Sequence, residues 1–63
     1  MSIGENIRAW RYAKSLTQYE LGKLCGMADS QIGVYERGES IHTDKTLMRI
    51  ATALGVTIET LKN

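Results

Sequence analysis

No covalent or metal staple is open to this chain, and that limits its fold more than any other feature. Cys25 is its one cysteine and His42 its one histidine, so neither an internal disulfide nor a Cys/His metal site can form within it. Its 63 residues read as one domain, 1–63, undivided by any linker or repeat. A domain of that size buries only about 60% of the surface its unfolded chain exposes. Stability must then come from a single apolar core, with little margin. The composition permits one: 43% of the residues are hydrophobic and 24% charged, which suits a compact soluble domain and not a disordered tail. Apolar runs are two or three residues long, far short of a membrane span. The opening MSIGENIRAW lacks the basic-then-apolar order of a signal peptide. A cytoplasmic protein is the expectation.

With no proline in the chain, helix start signals stand out. Ser2 with Glu5, and Thr17 with Glu20, each fit a capping box. In that arrangement the hydroxyl takes a free amide of the first turn and the carboxylate reaches back to the cap's own N–H. Thr43 and Thr57 fit the N-caps of two later helices. Gly26 and Gly38 stand where turns are needed, since glycine reaches positive φ without a steric penalty. This punctuation predicts five short helices, over 2–14, 17–25, 28–37, 43–54 and 57–62. Apolar residues recur at helical spacing in each: Ile3, Ile7 and Trp10; Leu21, Leu24 and Cys25; Ile32 and Tyr35; Leu47, Ile50, Ala51 and Leu54; Ile58 and Leu61. None of these helices is long enough to be stable alone. They must close together on one core, its ends plugged by Leu16, Met27 and Val56. Ile58 and Leu61 fit either that core or a dimer contact. Strand alternation is nowhere sustained, so the fold class is all-α, a compact five-helix domain.

The stretch QYELGKLCGMADSQIGVYER, from Gln18 to Arg37, has the spacing of two short helices joined at a steep angle by a tight turn. Leu21, Leu24 and Cys25 face inward from the first helix, and Ile32 and Tyr35 from the second. Gly26 supplies the left-handed turn. Gly22 falls where the helices come closest, so a side chain larger than alanine should not fit. The match is specific because each position meets a separate steric demand.

IGENIRAWRYAKSLTQYELGKLCGM, IGVYERGE and TLMRIATALGV resemble the phage Cro and repressor type of helix-turn-helix protein, also called the xenobiotic-response-element family. The resemblance runs from Ile3 to about Leu61. Its most specific pieces are Arg11, Leu16-Thr17-Gln18, Tyr35-Glu36-Arg37-Gly38 and Ala53-Leu54-Gly55-Val56. It implies a repressor-type DNA-binding domain, with the helix-turn-helix at helices 2 and 3, that regulates transcription from double-stranded operator DNA. Gln18 would bond a phosphate and brace the third helix, at a helix N-terminus whose free amides suit an anion. Thr17 and Arg37 would join it on the DNA backbone. Tyr12 and Tyr19 fall on outward positions; Tyr19, next to Gln18, reads as ordinary exposed surface or as a phosphate contact through its hydroxyl. Asp29, Ser30, Gly33 and Val34 would face base edges in the major groove. Arg11 and Glu36 would form a partly buried ion pair joining helix 1 to the end of helix 3. A homodimer through the last helix, set on a pseudo-palindromic operator and needing no cofactor, completes what the resemblance implies.

Departures from the family pattern fall on the DNA-facing side. Ala28 stands where serine or threonine commonly caps the third helix, and Asp29 where a hydrogen-bond donor is common. An aspartate there favours the helix through its dipole but repels phosphate, although it can accept from a cytosine amino group. Gly33 brings no reading side chain and costs about 1 kcal/mol of helix propensity relative to alanine. Val34 can read only by apolar contact, as with a thymine methyl. Ser15 replaces a frequent glycine, and Glu39-Ser40-Ile41-His42 lacks the cations common in that loop. The net charge is only +1, so composition by itself does not argue for nucleic acid. Arg37 and Arg11, with Lys14, Lys45 and Lys23 near the edges, are the cations left to meet DNA. Weak monomer binding with a shallow salt dependence is the expectation.

Other residues take blander readings. Cys25 reads as a small buried hydrophobe, Trp10 as core, His42 as a solvated loop residue, and Arg8 and Lys14 as a solvated face. A second functional reading is an antitoxin-like or other protein-interaction regulator. Asp29, Glu39 and the near-neutral charge favour it, although no toxin-neutralising segment is recognisable before Asn63. No Ser/His/Asp or Cys/His set and no phosphate-binding glycine loop is present, so an enzyme is not expected.

Overall fold

Four of the five helices begin on a side-chain cap. The computed structural model describes residues 2–39 and 43–63; the readings of Ser40, Ile41 and His42 fall outside the described residues. Helix α1 spans Ile3–Ala13, α2 Gln18–Cys25, α3 Asp29–Glu36, α4 Asp44–Leu54 and α5 Ile58–Lys62, each within a residue or so of its sequence-based range. Among the described residues there is no strand. At α1 the Glu5 N–H donates to Ser2 Oγ at 3.1 Å and the Ser2 N–H to Glu5 Oε1 at 2.8 Å. At α2 the matching distances are 3.0 Å for Glu20 to Thr17 and 2.8 Å for the return bond. The bonds from the Ser2 backbone and hydroxyl hold the Glu5 carboxyl below the usual carboxylate range. Thr43 and Thr57 accept from the N–H groups of Thr46 and Thr60. Helix α3 is the exception: Ala28 offers no cap, and the Ser30 N–H turns to Asp29 Oδ1 at 2.7 Å.

Helix α1 ends on Ser15, which holds φ at 57° and is the one non-glycine residue with positive φ among those described. Its N–H donates to Tyr12 O, and the following Leu16 N–H to Arg11 O. That is the paired closure in which glycine is normally preferred. Glycine occupies the corresponding left-handed position after α2, α3 and α4.

Every helix contributes to one core. Ile7, Leu21, Ile32, Leu47, Ile50, Leu54 and Leu61 are fully buried, with Cys25, Tyr35 and Ala51 beside them. Ile3, Trp10, Leu16, Met27, Val56 and Ile58 close its margins. Leu61 therefore belongs to the core, and Ile58 packs against it. Burial pushes the Cys25 thiol pKa up, which fits its reading as a small hydrophobe. Leu24 departs from its expected inward position and is 61% exposed. The eight-residue α2 buries Leu21, Gly22 and Cys25 on one narrow stripe, and Leu24 falls on its flank, where no other helix covers it.

Two close approaches lock the helices together. A Cβ on Gly22 would stand 2.5 Å from the Met27 carbonyl oxygen. Even alanine does not fit there, which is stricter than the sequence suggested. A Cβ on Gly4 would meet the carbonyl oxygens of Glu36 and Tyr35 at 2.5 and 2.6 Å, so α1 rests directly on the end of α3. Asn6, also buried, donates through Nδ2 to Leu61 O at 2.8 Å and Asn63 O at 2.9 Å. It thereby ties α1 to the end of α5.

Two substitutions should move stability in opposite directions. Gly22→Ala forces backbone apart and should cost about 1–3 kcal/mol, as overpacking does. Ser15→Gly relieves a left-handed residue and should gain up to about 1 kcal/mol, the loss of chain freedom offsetting part of the benefit. Urea denaturation of both variants beside the parent checks the signs; a neutral Gly22→Ala would mean that α2 and the turn can move apart freely.

Candidate nucleic-acid interface

The α2–α3 pair is bent by Gly26, which holds φ at 73°, and by the Met27 N–H donating to Gly22 O at 2.8 Å. With the inner sides of both helices spent on the core, the outer side of α3 is left to solvent. Asp29, Ser30 and Gln31 are exposed there, and Val34 is half-buried. Thr17 and Tyr19 are exposed at the start of α2, and Gln18 is half-buried between them. Gly33 departs from the outward placement expected of it. It is buried, and a Cβ there would stand 3.1 Å from Arg37 Nη1 and 3.3 Å from Gln18 Nε2. Its lack of a side chain makes room for two residues expected on the DNA backbone.

Glu36 fastens this surface to the rest of the domain. Its carboxylate accepts from Arg11 Nε at 2.6 Å and Nη2 at 3.1 Å, from Gln18 Nε2 at 3.2 Å and from Arg8 Nε at 3.4 Å. Arg11 Nη1 donates onward to Leu16 O at 2.9 Å, fixing the loop before α2. The Glu36 side chain is wholly buried and that of Arg11 7% exposed, so the pair is more enclosed than the sequence implied. Burial pushes the Glu36 carboxyl pKa up, but the bonds from Arg11 and Gln18 outweigh it, and the net shift is downward. Arg11 is raised above its ordinary value by its bond to Glu36, against the opposing effect of burial.

The cations are scarcer than their sequence positions suggested. Arg11, turned inward onto Glu36, is not available to phosphate. Arg37 Nε lies 3.0 Å from Glu39 Oε2 on the surface, and that partner raises its pKa. Lys14 and Lys23 lie over the rings of Trp10 and Tyr19 at 5.9 and 5.6 Å. Lys45 lines a groove between α2 and α4, with none of the expected DNA-contacting residues around it. Arg8, read from the sequence as part of a solvated face, and Tyr12 line an open cleft of about 620 Å³ together with Thr17, Gln18, Tyr19 and Asp29. Only the meeting of α1 with the start of α2 reveals them, because nothing in their local spacing singles them out. Among the described residues, no group of three or more His, Cys, Asp or Glu side chains could hold a metal ion. Nor is any helix among them long and apolar enough to cross a membrane.

The helix-turn-helix family model matches residues 7–61. The chain belongs to the Cro/repressor-type helix-turn-helix family. Control protein C.SmaI of Serratia marcescens is 34% identical over 59 residues, which are 94% of this chain and 70% of that protein. The P22 c2 repressor, solved in complex with a synthetic operator, superposes with a TM-score of 0.91 at 30% identity, covering 100% of this chain and 96% of that one. The restriction-modification controller protein C.AhdI from Aeromonas hydrophila gives a TM-score of 0.90 at 34% identity, covering 94% of this chain and 89% of that one.

The lowered Glu36 pKa carries a sign. A carboxyl depressed in the folded state adds stability above its unfolded pKa and loses it as pH falls through the folded value. Glu36→Gln, which leaves Arg11 buried without its counter-charge, should cost about 3 kcal/mol at pH 7. That deficit should shrink as pH falls from the ordinary carboxylate range through the lowered folded value, where the parent carboxylate takes up its proton. Chemical denaturation of both proteins from neutral to acid pH measures the difference; a gap that stays constant throughout would mean that the charge of Glu36 adds nothing.

Proposed function

We propose that this chain is a sequence-specific regulator of transcription that binds double-stranded DNA and acts as a repressor. The observation that carries this reading is the Arg11–Glu36–Gln18 brace, which holds α3 with Asp29, Ser30 and Val34 facing outward. The same fold in the P22 c2 repressor was solved on its operator, and control proteins are among the relatives. The free amides at the start of α2, with Gln18, Thr17 and Tyr19, receive one phosphate stretch, and Arg37 receives another. Asp29 and Ser30 meet base edges at the start of α3. Asp29 suits a cytosine amino group, and Val34 a thymine methyl. Gly33 acts by seating Gln18 and Arg37 rather than by reading a base.

A homodimer through the last helix would set two α3 helices about 34 Å apart on a pseudo-palindrome. The protein works in the cytoplasm, without a cofactor and without catalysis. A second reading, a regulator whose main partner is another protein, draws on one observation: Arg37 is already paired with Glu39, which leaves the DNA face poor in free cations.

Anisotropy titration with duplex selected from a random pool, set against a scrambled duplex at matched salt, tests the main reading. Equal affinities would end it. Because few phosphates can be neutralised, the salt slope should correspond to well under about eight phosphates per monomer.

Replacing the contacted thymine by uracil should weaken binding by about threefold to fourfold, the value of one buried methyl group. Val34→Ala should bind the two duplexes alike. If the variant still distinguishes them as the parent does, Val34 is not the reader.

A further inference from the structure

Leu24 and Met48 are 61% and 59% exposed, two large apolar side chains that the core leaves out. They are not scattered. Together with the half-buried Ala53 and the edge of Cys25 they floor a groove of about 570 Å³ between the end of α2 and the outer side of α4. Lys45, Arg49 and Thr52 complete its lining. Arg49 is held in place, because its Nη2 donates to the Cys25 carbonyl at the end of α2. Among the described residues no carboxylate lines the groove, and Asp44, next to Lys45 in sequence, is paired with Lys62 at 3.1 Å. An apolar floor whose charged border groups, Lys45 and Arg49, are both cations defines the chemistry of what fits it.

From this geometry we infer that the α2–α4 groove docks a partner protein through an amphipathic helix bearing carboxylates. Two or three apolar side chains at helical spacing would cover Leu24, Met48 and Ala53. Flanking Asp or Glu would meet Lys45 and Arg49. A second copy of this chain is a poor occupant of the same groove. An isologous pairing sets one patch on its own copy, which would bring two sets of Lys45 and Arg49 together with no carboxylate between them, and like charges facing each other across an interface are repulsive. The groove shares no residue with the outer side of α3 or with the cleft at the start of α2. A protein seated on DNA can therefore hold the partner at the same time. The inference does not depend on the DNA reading.

The experiment is selection from a random peptide library displayed on a helical scaffold, using the full chain as bait and Met48→Glu as counter-selection. Both Lys45 and Met48 are exposed, so Lys45→Glu and Met48→Glu should fold as the parent does, which their circular dichroism and thermal unfolding would verify. The expected winners carry Leu, Ile or Phe three and four residues apart, flanked by Asp or Glu. Lys45→Glu and Met48→Glu should each weaken their binding by about tenfold or more, and Met48→Glu should leave DNA affinity unchanged. Several results would overturn the inference: no winners, winners that are basic or uncharged, or winners that bind Met48→Glu as well as the parent. Sedimentation showing a dimer that Met48→Glu dissociates would assign the face to a second copy. Binding of the parent but not of Met48→Glu to vesicles containing phosphatidylserine would assign it to a lipid surface.

Discussion

The carboxylate of Glu36 is where three helices are held in register. It sits at the end of α3, wholly buried, and draws in Arg11 from α1 and Gln18 from the start of α2. Burying an ion pair gains little net stability over an apolar contact of the same shape, because desolvating both partners costs about as much as their attraction returns. What such a pair supplies here is position. Glu36 can be satisfied only if α1, α2 and α3 meet at one angle, and that angle sets where Asp29, Ser30 and Val34 point. Gly33 belongs to the same arrangement, since a side chain there would press on both Gln18 and Arg37.

Around that anchor, so small a domain has to satisfy its backbone locally. Two capping boxes, two threonine caps and a left-handed residue after each of the first four helices do this with side chains close in sequence. The core then needs few residues, because every helix delivers at least one fully buried side chain to it. Where two backbones touch, at Gly4 and Gly22, the absence of a Cβ allows the contact. Asn6 performs a similar duty at the far end, where it holds carbonyl groups of the last turn of α5.

Charge is distributed to match. Cations that a count of residues would assign to DNA have partners within the domain: Arg11 the buried Glu36, Arg49 the end of α2, and Arg37 an exposed Glu39 that a phosphate can displace. The surface around α3 thus offers shape and a few directed contacts more than a strong field. The opposite holds between α2 and α4, where Lys45 and Arg49 border apolar side chains with no carboxylate among the described residues of the lining.

Helix positions, both capping boxes, the turn at Gly26 and most of the core were legible in the sequence, because each is set by residues a few positions apart whose hydrogen bonds and periodicity do not depend on the rest of the chain. The Arg11–Glu36 pair and the bracing of the end of α3 by Gln18 were legible by family resemblance. Other features were decided only when the helices packed. Asn6 finds its acceptors 55 and 57 residues away, Gly4 meets α3, Gly33 is covered by side chains from two other places, and Leu24 is left outside despite its helical spacing. Local periodicity says which side of a helix is apolar, but not how wide a strip its neighbours cover. That width, and the contacts between residues distant in sequence, follow from the angles at which five short helices meet.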